Sequence, residues 1–394
     1  MIRKISAHYI FPGNSLPLKR GIVSVNEEGE ITDLTDTGGS LKEVSNLEFY
    51  DGIITPGFIN CHTHLELSKL RGKINKHTGL INFIKAVVQL RSLDDSIASA
   101  SAKRADTEME TGGIVAAADI SNTSESFNIK ATSKIKYFTF IEILGIRDSE
   151  AKEKLEQGLR LLEELKLLNL PGSITPHAPY SVSDTLWNML TEHSKLQRSM
   201  WSVHNQESSE ENHMFMDKSG GFVSFLSQIS NYFIHWNSPG VSSLTYDKQF
   251  YSQIPKTLLV HNTFTSRQDL DSIKDLKEKI VFILCPNANL FIENQLPDVE
   301  LLINAGHIVA LGTDSLASNT KLSILEEMKT VQKYHPRIGL QELINFGTIN
   351  GAHALGFDNQ LGSIRKGKKP GLNLIDHIDF KEMKLTSQSN IKVI

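Results

Sequence analysis

The sequence is poor in cysteine and in long apolar runs. Its two cysteines, Cys61 and Cys285, are too few for a disulfide framework. No stretch of about 18 apolar residues occurs, so we expect no membrane span. Polar residues and Pro12 interrupt the basic N-terminal segment, which therefore does not resemble a signal peptide. These absences favour a cytoplasmic protein that has no membrane partner.

Net positive charge is also lacking. The 394 residues carry a formal charge of −4, which argues against a protein that binds nucleic acid through bulk charge. The chain is 40% hydrophobic and 22% charged, a composition typical of a folded protein with a substantial core. Histidine, in contrast, is abundant. The chain has 14 histidines, and their positions are more informative about function than their number.

Eight short apolar runs alternate with longer segments of helical spacing, which predicts an α/β fold built as a parallel (β/α)8 TIM barrel. The predicted strands are Gly57–His62, Ile114–Asp119, Lys136–Ile143, Ser173–His177, Trp201–His204, Thr257–His261, Ile280–Leu284 and Ile308–Gly312. The predicted helices include Leu80–Arg91, Ser149–Leu168, Ser183–Lys195, Arg267–Glu278 and Ile324–Tyr334. Short alternating runs at both ends predict a small β-sandwich domain from residues 1–54 and 358–394, outside a barrel of residues 55–357.

Polar residues end five of these eight strands, at the edge where parallel barrels carry their chemistry. His62 and His64 are two residues apart, so strand alternation directs both imidazoles to one face. His204 and Asp314 end other strands, as do His177 and His261. Three imidazoles and one carboxylate suit Zn²⁺ or another borderline divalent ion, with a position left for water.

Five motifs occur in order along nearly the whole chain: PGFINCHTHLEL, His204 with Glu207 three residues later, LLVHNTF, LGTDSLASN and GSIRKGKKPGLNLID. Together they resemble the amidohydrolase superfamily. Within it they are most similar to the aminohydrolase branch, which contains deaminases of S-adenosylhomocysteine, methylthioadenosine, guanine, cytosine and aminodeoxyfutalosine, and the triazine chlorohydrolases.

The resemblance implies a role for each matching residue. His62, His64, His204 and Asp314 would hold one divalent metal, which we expect to be Zn²⁺ with iron as the alternative. Glu207 would carry protons, and His261 would orient or help to deprotonate the metal-bound water, while Asp314 could also accept a proton. His177 would contact the substrate near the reacting centre.

Each role has a structural alternative. Glu207 begins an acidic run and would also suit the first turn of a helix through the helix dipole. His177 lies between two prolines and could serve only to shape a loop. Glu66 could bind substrate, support the site from behind or face solvent, and the sequence does not decide among these.

The predicted function is a metal-dependent hydrolytic deaminase, in which metal-bound hydroxide attacks an amino-substituted heterocycle and releases ammonia. An adenosine-type nucleoside or a related purine is the leading substrate class. The alternatives are a hydrolytic dechlorinase, a cyclic amide hydrolase of the same superfamily, and a metal-free barrel that acts in assembly. Two-metal amide hydrolases usually have a carboxylated lysine after strand four, where this chain has His177.

Substrate specificity lies in loops that the sequence describes only coarsely. Arg71, Lys73 and Arg91 follow the first strand and could meet a carboxylate or a ribose, or be solvated. The segment 215–251 is rich in aromatic residues and could form a lid or pack as ordinary core. It contains Phe222, Phe225, Tyr232, Phe233 and Trp236. The partner is a small molecule, and the sequence leaves open whether the chain forms a homo-oligomer.

Overall fold

Eight short runs of buried apolar residues form parallel strands at the centre of the computed structural model, which describes residues 2–13, 15–91, 98–230 and 236–394. In chain order the strands are β1 (Arg3–Ile10), β2 (Leu18–Lys19), β3 (Ile22–Val25), β4 (Ile31–Thr35), β5 (Leu47–Pro56), β6 (Phe58–Thr63), β7 (Ile114–Ser121), β8 (Lys136–Ile143), β9 (Gly172–Pro176), β10 (Trp201–Asn205), β11 (Thr257–His261), β12 (Ile280–Leu284), β13 (Ile308–Leu311), β14 (Leu372–Ile375), β15 (Ile378–Asp379), β16 (Lys384–Leu385) and β17 (Ile391–Val393).

Helices connect these strands and cover them. In chain order they are α1 (Leu80–Arg91), α2 (Ala98–Thr111), α3 (Phe127–Thr132), α4 (Ala151–Leu167), α5 (Asp184–Gln197), α6 (Ser209–Asp217), α7 (Gly221–Ile229), α8 (Ser243–Tyr251), α9 (Arg267–Ser272), α10 (Pro286–Ile292), α11 (Val299–Asn304), α12 (Ile324–Tyr334), α13 (Leu340–Gly347) and α14 (Ile349–Leu355). Short 3₁₀ helices span Leu65–Leu70, Asp148–Glu150, Pro179–Ser181 and Lys274–Leu276. None of the helices in the described ranges is long and apolar enough to cross a membrane.

The parallel strands form two four-stranded sheets, with orders β6-β7-β8-β9 and β10-β11-β12-β13. Hydrogen bonds link these sheets at both junctions. The His204 amide donates to the His177 carbonyl over 2.9 Å, and Thr313 N donates to His62 O over 2.9 Å. The carboxyl ends of β9 and β10, and those of β6 and β13, therefore lie side by side. All eight strands predicted from the sequence are present, with ends that differ by at most two residues.

The two ends of the chain share one sheet. The strands of this sheet lie in the order β17-β14-β5-β1-β3-β4, with β2 beside β1. The sheet therefore joins two C-terminal strands, β14 and β17, to the five N-terminal strands. In register, Leu374 pairs with Ile54. The described residues place these strands in a single seven-stranded sheet, with β15 and β16 as a separate pair. They therefore do not confirm the two-layer β-sandwich that the sequence predicted.

The predicted helix Arg267–Glu278 was too long. Helix α9 ends at Ser272, and a 3₁₀ turn follows at Lys274–Leu276. The Ser272 carbonyl accepts a hydrogen bond of 2.7 Å from Lys248 Nζ, and the Ser272 hydroxyl donates to the Asp269 carbonyl over 2.6 Å. These side-chain bonds use backbone acceptors that a continuing α-helix would need. The α-helix therefore ends at Ser272, although the apolar spacing of the sequence continues beyond it.

Candidate active site

His62 and His64 lie at the carboxyl end of β6 and direct their imidazoles to the same point. Their Nε2 atoms are 3.1 Å apart. His62 is fully buried, because strand β6 is covered along its whole length. The neighbouring Cys61 is also buried, and burial raises the pKa of its thiol. The period-two alternation of the strand thus separates the two imidazoles from the thiol of Cys61, which directly precedes His62.

Asp314 is brought to the same point by contacts between β6 and the segment after β13. The Asp314 amide donates to the His62 carbonyl over 3.0 Å, and Thr63 Oγ1 donates to the Asp314 carbonyl over 3.1 Å. Its carboxylate oxygen Oδ1 is 3.4 Å from His64 Nε2 and 3.7 Å from His62 Nε2. Ser318 Oγ donates a hydrogen bond to the other carboxylate oxygen, Oδ2. The carboxylate is therefore oriented from both sides.

His204, at the end of β10, completes the cluster. One ligand atom from each of His62, His64 and His204 lies within 4.8 Å of the others. The Nδ1 atom of His204 is 3.1 Å from the His177 carbonyl, which orients the ring. Burial lowers the pKa of all three imidazoles, so they are held neutral, the form that binds a metal ion.

Glu207 and His261 lie next to this cluster. Helix α6 starts at Ser209, and Glu210 and Glu211 occupy its first turn, so Glu207 precedes the helix. The interpretation of Glu207 as a first-turn residue was therefore wrong. Glu207 Oε1 is 3.6 Å from His261 Nε2, and both side chains are buried. Burial, together with the nearby Asp314 carboxylate, raises the pKa of Glu207 well above its usual value.

His261 and His177 are held from behind by neutral polar groups. His261 Nδ1 is 3.4 Å from the Asn289 amide nitrogen, and His177 Nδ1 is 2.6 Å from Ser181 Oγ. Burial lowers the pKa of His261 to about 3 and that of His177 to about 4. Both rings are therefore neutral near pH 7, when each can accept or donate one hydrogen bond at its free nitrogen.

A cavity of about 760 Å³, counting the part open to solvent, connects these residues to the surface. The polar residues that line it are His64, Arg91, Asn122, Glu142, His177, Tyr180, His204, Glu207, His261, Asp314 and Ser315. Its apolar wall consists of Leu67, Leu80, Phe83, Ile84, Val87, Val88 and Leu144. The candidate catalytic and metal-binding side chains predicted from the sequence thus line one cavity, except the fully buried His62, whose Nε2 lies 3.1 Å from His64 Nε2.

Glu142 was missed by the sequence reasoning. It lies near the end of β8 and is buried, with Oε1 3.4 Å from His204 Nδ1. A second group of possible metal-ligating atoms, from Glu142, His177 and His204, lies within 4.8 Å. The available signal was an acidic residue close to the carboxyl end of a predicted strand, the same signal that singled out the histidines.

Glu66 does not line the cavity. Its carboxylate accepts hydrogen bonds from Arg91 Nη2 over 2.8 Å and from the amide and hydroxyl of Thr123 over 2.8 and 2.9 Å. The structure therefore places Glu66 behind the wall, where it positions Arg91, and contact of Glu66 with a substrate stays a prediction. Among Arg71, Lys73 and Arg91, which follow the first strand, only Arg91 lines the cavity. Arg71 forms an ion pair with Glu108.

In the described part of segment 215–251, Phe215 and Phe222 are buried, whereas Phe225 and Trp236 are only partly buried. Phe222 is fully buried and stacks on Tyr180 at a centroid distance of 4.4 Å. Phe215 and Trp236 meet edge-on at 5.6 Å. Tyr232 and Phe233 lie outside the described residues. Within the described ranges, this segment contributes to the cavity indirectly, through the support that Phe222 gives to Tyr180.

Comparison with known proteins places the chain among hydrolases. Residues 53–393 match the sequence model of the amidohydrolase family. The chain is 30% identical over 336 residues to an adenosine deaminase of Helicobacter pylori, with 83% of this chain and 79% of that protein covered. It is 27% identical over 393 residues to a 5'-deoxyadenosine deaminase of Methanococcus vannielii, with 92% and 86% covered.

A solved structure shows the same fold. The aminofutalosine deaminase of Helicobacter pylori, crystallised in complex with methylthio-coformycin, superimposes with a TM-score of 0.80 at 25% sequence identity. The match covers 98% of this chain and 93% of that one. This likeness indicates a (β/α)8 barrel, to which the two parallel sheets correspond.

Proposed function

The chain belongs to the amidohydrolase family and is a hydrolase that acts on carbon–nitrogen bonds, and we propose that it deaminates adenosine-type nucleosides with one divalent metal ion bound by His62, His64, His204 and Asp314. The single observation that carries this proposal is the convergence of three neutral imidazoles, one carboxylate and a protonatable Glu207 at the inner end of one cavity.

The donor set fits a borderline divalent ion. Imidazole nitrogens with one carboxylate oxygen are typical ligands of Zn²⁺, which we propose as the metal. The 3.1 Å between His62 Nε2 and His64 Nε2, and the 3.4 Å between His64 Nε2 and Asp314 Oδ1, match the separation of atoms that share one ion. When bound, the ion supplies Lewis-acid chemistry that lowers the pKa of water from about 15.7 towards about 7.

Glu207 is placed to move protons between water and substrate. Burial raises its pKa, so the carboxyl holds a proton more readily than an exposed glutamate and can donate it to a ring nitrogen of the heterocycle. The resulting carboxylate then accepts a proton from the attacking water and passes it to the amino group, which leaves as ammonia. Glu207 regains its own proton from the new hydroxyl group as the carbonyl forms. One water is consumed, and the C–NH₂ group becomes C–OH or its carbonyl tautomer.

His261 and His177 act on either side of this proton path. His261 Nε2 faces Glu207 Oε1 and can hold a hydrogen bond to the attacking water or to the developing oxyanion. His177, held by Ser181, faces the cavity and can bind the heterocycle near its reacting carbon. The neutral state of both rings means that they supply hydrogen bonds without adding charge.

The test measures ammonia release from adenosine and 5'-deoxyadenosine by the Zn²⁺-loaded enzyme and by its Glu207→Gln variant. Because general acid–base catalysis typically contributes 10²–10⁴-fold, we expect the variant to lose about 10²–10⁴-fold in kcat. Its bound metal, measured by elemental analysis, should equal that of the wild-type enzyme. Full activity in the variant, or no tightly bound metal in the wild-type enzyme, would contradict the proposal.

A further inference from the structure

Glu142 has one carboxylate oxygen that nothing in the described part of the chain satisfies. Its Oε2 accepts a hydrogen bond of 3.0 Å from the Asn122 amide. Its Oε1 is buried and has no hydrogen-bond partner, and the nearest donor, His204 Nδ1, is 3.4 Å away and closer to the His177 carbonyl. Glu142 lines the cavity, and only 7% of the residue is exposed.

Such an oxygen is costly unless a ligand binds it. A buried carboxyl oxygen without a hydrogen bond loses the solvation that it had in water, and nothing in the folded protein replaces that interaction. The proposed mechanism gives Glu142 no proton to carry, since Glu207 and His261 lie next to each other elsewhere in the cluster. The free oxygen therefore points to a donor that arrives with the substrate.

A row of polar contacts extends from the other carboxylate oxygen of Glu142, Oε2, towards helix α1. Asn122, which binds Glu142, accepts a hydrogen bond of 3.0 Å from Arg91 Nη1, and Arg91 Nη2 donates to Glu66 over 2.8 Å. These bonds fix Asn122 with its amide nitrogen directed at Glu142. The Glu142 carboxylate is held in one orientation, with Oε2 engaged and Oε1 free.

Apart from Arg91, Asn122, Tyr180 and Ser315, the wall away from the metal-binding cluster is apolar. Helix α1 contributes Leu80, Phe83, Ile84, Val87 and Val88 to the same cavity. A nucleoside whose amino group reacts beside Glu207 retains few hydrogen-bond donors, and the sugar hydroxyls are the ones present in all ribonucleosides. Among the carboxylates that line the cavity, Glu207 and Asp314 belong to the reacting end, so Glu142 is the acceptor left for a hydroxyl.

We propose that Glu142 is a specificity-determining residue that accepts a hydrogen bond from the 2'- or 3'-hydroxyl of ribose and thereby selects ribonucleosides over 2'- or 3'-deoxynucleosides. This inference rests on the proposed deamination of adenosine-type substrates. It assigns Glu142 to substrate binding and leaves the metal ligands and the proton path unchanged.

The experiment compares kcat/KM for adenosine, 2'-deoxyadenosine and 3'-deoxyadenosine in the wild-type enzyme and in Glu142→Gln. A hydrogen bond to a charged group contributes enough to change kcat/KM by about 10–100-fold. We expect the wild-type enzyme to prefer adenosine over one of the deoxynucleosides by this factor. In the variant the glutamine carbonyl would pair with Asn122 and its NH₂ would face the cavity, so the preference should fall to near unity.

Two controls separate substrate contact from support of His204. Bound metal in Glu142→Gln should match that of the wild-type enzyme, and the variant should lose activity with adenosine far more than with the deoxynucleoside. Glu163→Gln removes a carboxylate that is 70% exposed and pairs with Lys166 on helix α4, outside this row of contacts, so it should leave the ratio between ribonucleoside and deoxynucleoside unchanged. Equal losses for all three nucleosides in Glu142→Gln would overturn the proposal.

The wild-type enzyme alone also decides the question if the variant does not fold. Equal kcat/KM for all three nucleosides would overturn the role of Glu142 while leaving the deaminase function intact. No ammonia release from any of the three would instead overturn the proposed function itself. The two failures are therefore distinguishable in one set of measurements.

Discussion

The buried ion pair between Lys130 and Asp119 anchors the backbone that directly follows His62 and His64. Lys130 Nζ is 2.5 Å from Asp119 Oδ2, and both side chains are fully buried. Asp119 Oδ1 accepts a hydrogen bond of 2.8 Å from the amide of Leu65, the residue directly after His64. Asp119 Oδ2 also accepts from Ser121 Oγ over 3.1 Å. The pair therefore couples α3 and β7 to the position of His64.

The perturbation is Lys130→Met, which keeps much of the side-chain length and removes the ammonium group. Removal of one partner from a buried pair costs about 3–5 kcal/mol, because the other charge is left buried and uncompensated. Asp119 keeps its bonds from Leu65 and Ser121, so we expect the lower end, about 3 kcal/mol. Lys166→Met is a matched control, since the side chains of Lys166 and Glu163 are 55% and 70% exposed. This control should change stability by less than about 0.5 kcal/mol.

Urea unfolding of the metal-free protein measures the loss of stability. Competition with a chelator measures the second effect, because a looser anchor beside His64 should weaken metal binding by about 10–100-fold, the cost of losing an outer-shell contact. The double variant Asp119→Asn, Lys130→Met retains an acceptor for Leu65 and removes the buried charge, so it should be more stable than Lys130→Met. A loss below about 1 kcal/mol, or a double variant no more stable than the single one, would refute the reasoning.

Two further predictions concern the segment after β13. Ser318→Ala removes the hydroxyl that donates to Asp314, so Zn²⁺ affinity in a chelator assay should fall by about 10–100-fold, and an unchanged affinity would exclude an orienting role for this contact. Burial raises the pKa of Glu327 from 4.5 to about 8, although its carboxylate accepts bonds from Asn287 N and Asn319 Nδ2. The folded protein then binds a proton that the unfolded chain releases, so the free energy of unfolding should decrease as the pH rises from about 4.5 to about 8. Urea titrations should show a shallower decrease in Glu327→Gln, and equal slopes would show that Glu327 does not contribute it.

Sequence reasoning was strongest where one local rule is sufficient. The strands β8, β11 and β12 coincide with the predicted ones, because a buried parallel strand is a short apolar run that can be recognised on its own. The shared direction of His62 and His64 follows from strand alternation, which depends only on neighbouring residues. Helix ends were less accurate, as α9 shows, because side chains distant in sequence compete for backbone acceptors.

The amino-acid sequence by itself determined the alternation of strands and helices, the family, and the residues that end the strands in His or Asp. Only the tertiary structure decided that Glu142 faces the cavity with a free oxygen, that Glu66 stays behind the wall, and that Arg91 lines it. The reason is physical: periodicity is a property of adjacent residues, whereas the partner of each carboxylate is set by packing between strands and helices far apart along the chain.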